Sequence, residues 1–117
     1  MQAFQNLDVW QKAHRLTLAI FKTTAGFPKE EAFGLSVALR RTSMNISMKI
    51  AEGCGKDDSV EFSRCLQHGR GTGVELEYLI LLARDLEFIK PEVFGALQDQ
   101  VVEVRKMLSG LMKAVVV

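Results

Sequence analysis

The chain is predicted to be all-α: an antiparallel up-down-up-down four-helix bundle that assembles into a ring-like homo-oligomer. Three observations support the bundle. Apolar residues recur at steps of three and four through four long segments. Strand-like alternation never lasts beyond a few residues, and there is no internal repeat or low-complexity tract. The breaks between segments are short, and short joints between long helices make sequential neighbours antiparallel.

The first helix is expected from Leu7 to Thr24, with Trp10, Ala13, Thr17, Ile20 and Phe21 as its apolar side. Gly26-Phe27-Pro28 separates it from the second, expected from Phe33 to Glu52. Two glycines in Gly53-Cys54-Gly55-Lys56-Asp57 end that helix. Asp58-Ser59-Val60-Glu61 resembles a capping box, with Asp58 as the cap and Glu61 reaching back. It opens a third helix, Ser59 to Leu86, whose core stripe is Phe62, Cys65, Leu66, Gly69, Gly73, Leu76, Ile80 and Ala83. The fourth runs from Glu92 to Val115, with a coiled-coil-like seam of Leu97, Val101, Val104, Leu108, Leu111 and Val115. Pro28 and Pro91 both suit the first turn of the helix that follows, where a missing N–H costs nothing.

The second helix predicts assembly. Leu35, Leu39, Thr42, Ile46 and Ile50 form one apolar stripe. Val37, Met44, Met48 and Ala51 form another about half a turn away. A helix in a small monomer needs one buried stripe, so the second asks for a second partner. The third helix is apolar almost all round from Val74 to Leu86, which predicts burial on most sides. The terminal Val115-Val116-Val117 likewise favours docking over water.

Size and composition set outer bounds. The 117 residues fit a single domain, 1–117, with enough chain for one core. Charged residues make up 25% and no apolar run reaches membrane-spanning length, so neither disorder nor a membrane partner is expected. Met1 to Gln11 lacks the basic-then-apolar pattern of a secretory signal. Two cysteines make no disulfide framework, and the expected compartment is the reducing cytoplasm. A net charge of +1 is low for a general nucleic-acid binder.

No catalytic residue, cofactor site or metal site is expected. Gly69-Arg70-Gly71-Thr72-Gly73 has the glycines of a phosphate loop but lies inside a helical pattern, so close helix packing is expected there. Cys54, Cys65 and His68 provide only one close pair of ligand types. The two histidines, His14 and His68, stand in different helices, and Ser36, Ser43 and Ser47 lie on a helix flank rather than a nucleophile turn. Arg40, Arg41, Lys49 and Lys56 form a basic segment with two readings: a phosphate-facing strip, or ion pairs with Glu52, Glu75, Glu77 or Asp85 within or between copies.

The stretch Arg40-Arg41-Thr42-Ser43-Met44-Asn45-Ile46-Ser47-Met48-Lys49-Ile50-Ala51-Glu52-Gly53 resembles the signature of the bacterial four-helix bundle proteins, also called 23S rRNA intervening-sequence or S23-like proteins. Phe4 to Ala13 resembles the family opening, and Phe27-Pro28-Lys29-Glu30-Glu31 its following turn. Glu61-Phe62, Gly71-Thr72 and Glu75-Leu76-Glu77 resemble later family elements. Ser47 and Lys49 replace the family's usual proline and asparagine, which predicts a straighter second helix and a charge in place of a polar contact. The resemblance implies a cytoplasmic four-helix bundle forming a ring-shaped pentamer. It also implies a link to RNA, since such genes lie within rRNA intervening sequences. A similar basic member, the accessory protein of diversity-generating retroelements, is a pentamer that engages nucleic acid and a nucleic-acid-processing partner, the reverse transcriptase. The functional expectation is a non-enzymatic oligomeric scaffold or adaptor. The alternative is RNA binding through Arg40, Arg41, Lys49 and Lys56, while Val37, Met44, Met48 and Ala51 hold the oligomer interface.

Overall fold

Four long helices make up most of residues 3–115, the part described by the computed structural model. They are α1 (Asp8–Thr24), α2 (Phe33–Cys54), α3 (Ser59–Asp85) and α4 (Pro91–Val115), after a 3₁₀ turn at Phe4–Asn6. No strand occurs among the described residues. Val116 and Val117 of the apolar terminus lie outside them.

Cross-helix contacts set the directions. Thr17 on α1 meets Ser43 and Ser47 on α2, and Thr24 further along α1 meets Arg40 earlier on α2. Gly69 on α3 sits against Ile46 and Lys49, while Gly53 sits against Phe62 and Cys65. Arg70 bonds Ser109 and Glu77 bonds Arg105, so α4 runs against α3. Each helix backbone therefore runs beside its two sequence or end neighbours, while the diagonal pairs, α1 with α3 and α2 with α4, keep their backbones apart. The result is an up-down-up-down bundle measuring 46 × 21 × 20 Å.

Each helix gives one row to the core. Leu16 and Ile20 meet Ile46 and Ile50, then Leu66, Leu76 and Ile80, then Val101, Val104 and Leu108, all fully buried. The α1 row is rotated from the expected one. Val9, Ala13, Leu16, Thr17, Ile20 and Thr24 face inward, while Trp10 and Phe21 lie half-buried at the edge. The buried threonines are tolerated because each hydroxyl returns to the carbonyl four residues earlier, at 3.0 Å for Thr17 and 2.8 Å for Thr24.

The joints differ in detail from expectation. Pro91 is the first residue of α4, but Pro28 precedes α2 by a turn, with its carbonyl accepting from Ala32 N–H. Asp58 caps α3 by accepting from Glu61 N–H at 2.8 Å. Glu61 does not reach back, because its carboxylate takes Arg64 at 2.7 Å. Helix α3 ends in a Schellman turn. Phe88 N–H bonds Ala83 and Glu87 N–H bonds Arg84, with Glu87 in the left-handed region at φ 65°. That turn drops Phe88 onto Phe27, ring centroids 5.6 Å apart, and so closes one end of the bundle.

Close glycine packing is real but placed differently. A Cβ on Gly53 would lie 2.9 Å from Phe62 Cδ1 and 3.1 Å from Cys65 Cβ, and one on Gly73 would lie 2.9 Å from Arg105 Cγ. At Gly69 the nearest atom would be 3.7 Å away, which is ordinary contact. Gly69→Ala is therefore expected to stabilise the protein by about 0.5–1 kcal/mol through helix propensity. Gly53→Ala is expected to destabilise it by about 1–3 kcal/mol through overpacking. Urea unfolding at one fixed protein concentration checks both signs.

Candidate functional site

Helix α2 presents three distinct faces. Leu39, Ile46 and Ile50 fill the core. A polar seam of Arg40, Ser43 and Ser47 lies against α1, where Thr17 Oγ1 is within 3.1 Å of the Ser43 carbonyl and 3.2 Å of Ser47 Oγ. The outer face carries Val37, Met44, Met48 and Ala51, the residues of the second stripe. Val37 and Ala51 are half-buried, whereas Met44 is 38% and Met48 55% exposed. Phe33, 69% exposed, extends this face by a turn and was not part of the sequence stripe. Neighbouring α3 turns out Val74 and Tyr78, exposed by 50% and 59%, so its apolar stretch is not buried all round.

Ser47 joins the α1 seam, and α2 runs unbroken through this position. Lys49 pairs with Glu52 at 3.0 Å, a charge contact where the resembling family has asparagine. Lys56 reaches the other oxygen of Glu52 at 3.6 Å. The Lys49 hydrogen bond and charge, helped by Lys56, hold the Glu52 carboxyl below the usual range. Arg40 turns toward α1. Its guanidinium lies 4.8 Å from the Phe21 ring centroid and its Nε donates to Thr24 Oγ1 at 2.8 Å. Arg41 alone is exposed with no ion pair or hydrogen bond among the described residues. Nine positions separate Arg40 from Lys49, about half a turn, so the four cations do not share one face.

Cys54 and Cys65 are both buried and free, and burial pushes both thiols up, which disfavours the reactive thiolate. His68 is exposed, away from Cys65, and no three His, Cys, Asp or Glu side chains converge among the described residues. His14 stacks on Trp10 with centroids 4.9 Å apart. Ser43 Oγ donates to the Arg40 carbonyl at 2.9 Å. A second basic site lies between α3 and α4, where Arg70, Arg105, Lys106, Ser109 and Lys113 line a groove of about 320 Å³. The spacing of Arg105, Lys106, Ser109 and Lys113 along one helix face was a readable signal, but Arg70 joins them only through the α3–α4 register.

An open apolar helix face and a basic groove on a four-helix bundle define a small all-α protein whose candidate sites are helix surfaces rather than a deep cleft. The chain belongs to the 23S rRNA-intervening sequence protein family, whose model matches residues 5–110. A solved structure of a protein of unknown function from the S23 ribosomal protein family of Bacteroides thetaiotaomicron VPI-5482 shares the fold. It has a TM-score of 0.84 and 22% identity over 90% of this chain and 98% of that one. No curated protein matches the chain. Among the described residues, no helix is long and apolar enough to cross a membrane.

The lowered Glu52 carboxyl sets a pH dependence. Its contribution to stability is complete above the ordinary carboxylate range and fades as pH falls through the lowered folded value. Lys49→Met should move the Glu52 midpoint up toward that of an unpaired glutamate in an NMR pH titration. An unmoved midpoint would show that Lys49 is not the cause.

Proposed function

We propose that the protein is a non-enzymatic, self-assembling scaffold or adaptor whose copies join through the outer face of α2. The observation that carries this is the apolar row Phe33, Met44 and Met48, exposed within the chain, with half-buried Val37 between them. Burying one such side chain contributes about 1.5–3 kcal/mol. A second copy is the occupant that fits the charges. Arg41 stands on this face unpaired. In the register set by Gly69 against Ile46 and Lys49, Glu75 of α3 stands at the same level, also exposed and unpaired among the described residues. Each copy thus offers one free base and one free acid to the next. A contact of α2 on one copy with α3 on another is heterologous, and such contacts form a ring when the rotation between copies closes. Five copies is the number that the family resemblance implies.

This reading ranks above RNA binding through Arg40, Arg41, Lys49 and Lys56, because only Arg41 of that set is exposed and unpaired. Met44→Glu tests it by placing a carboxylate in the contact. The variant should sediment as a smaller species than the parent while its far-ultraviolet dichroism stays helical. A variant that unfolds would mean the two faces of α2 are assigned the wrong way round. One that keeps its size would place any interface elsewhere.

A further inference from the structure

The glycines around Arg70 make a helix rather than a phosphate loop, but the Arg70 side chain leads to a different anion site. It reaches across to α4, where its Nη1 donates to Ser109 Oγ at 3.1 Å. That bond directs the guanidinium into the α3–α4 groove and leaves its other N–H groups free. Lys106 and Lys113 are exposed on the same side of α4 and have no acid partner among the described residues. Arg105 is committed to Glu77, with its buried Nε–H lacking an acceptor. No acidic residue lines the groove. Four cations are thus gathered here, with Glu77 on Arg105 and with Asp99 and Glu103 on the adjoining surface beside Lys106, in a chain whose net charge is only +1.

We infer that this groove binds phosphate groups. A planar guanidinium offers paired donors to two phosphate oxygens, the lysines add point charge, and the Ser109 hydroxyl, already accepting from Arg70, has its own proton to donate. Arg70, Lys106 and Lys113 have no ion pair among the described residues, and a bound anion relieves the repulsion among them. Lys106 and Lys113 are two turns apart, about 10.5 Å along the axis, so the site is long enough for successive phosphates of a phosphodiester strand as well as for a free ion. The groove is built from Arg70 of α3 and from α4 and uses no residue of the outer face of α2.

The test uses the full chain and two probes, a short fluorescent oligouridylate followed by anisotropy and inorganic phosphate followed by amide NMR shifts. In Lys106→Glu/Lys113→Glu, oligouridylate affinity should fall about tenfold or more, and the log–log salt slope should shrink by about 0.7 for each contact removed. Lys22→Glu on α1, exposed and outside both the groove and the outer face of α2, should bind like the parent. Lys106→Gln/Lys113→Gln, with its fold checked by circular dichroism, should show a smaller loss and guards against misfolding by the charge reversal. Oligouridylate binding that phosphate competes away assigns the site to a phosphodiester strand. Shifts at Ser109 and Lys113 with phosphate, but not with equal chloride, and no oligouridylate binding assign it to free phosphate. Neither probe binding, or equal affinity in parent and groove variants, overturns the inference.

Discussion

A helix at one corner of a square bundle has two helical neighbours and an open outward quadrant. That constraint governs α2. Its inward quadrant holds Leu39, Ile46 and Ile50, and its flanks meet α1 and α3. The diagonal helix α4 keeps its backbone away from α2, on the far side of the core. Apolar residues in the outward quadrant therefore find no partner inside the chain, however well the bundle packs. Phe33, Met44 and Met48 are in that position.

The rest of the fold holds α2 firmly in that presentation. On one flank, Arg40 spans Phe21 and Thr24, while Thr17 bonds Ser43 and Ser47, so α1 is pinned by directional contacts as well as by packing. Each such bond is worth only about 1 kcal/mol net, but leaving a buried hydroxyl unpaired would cost as much or more, and this fixes the register. On the other flank, Gly53 lets Phe62 and Cys65 close against the end of α2. Glu52 gathers Lys49 and Lys56 and leaves that end with little free charge. Unpaired positive charge collects instead between α3 and α4. The apolar and basic surfaces thus lie on different sides of the bundle.

The helices were legible because a buried stripe on a 3.6-residue period leaves a repeating mark in sequence. Every helix boundary falls within two residues of the expected one. The α4 stripe was readable because its buried positions, Leu97, Val101, Val104 and Leu108, are all aliphatic, and the α3 stripe because Leu66, Leu76, Ile80 and Ala83 mark its line among smaller residues. Helix α1 was harder. Trp10 and Phe21 are large and look like core, yet their rings lie at the edge under His14 and Arg40, while Thr17 and Thr24 turn inward by bonding their own backbone. The α2 cations illustrate a different limit. Their closeness in sequence hides that Arg40 and Lys49 point to opposite sides of one helix. The α3–α4 groove needed tertiary register, because Arg70 and Ser109 are far apart in sequence.

The account depends most on whether the outward quadrant of α2 is covered by another copy. Light scattering coupled to size exclusion on the unmodified chain at micromolar concentration measures this directly. The account predicts a single species several times the 13.1 kDa mass of one chain. A species of 13.1 kDa under those conditions would contradict it, leaving the outer face of α2 as exposed surface on a monomer.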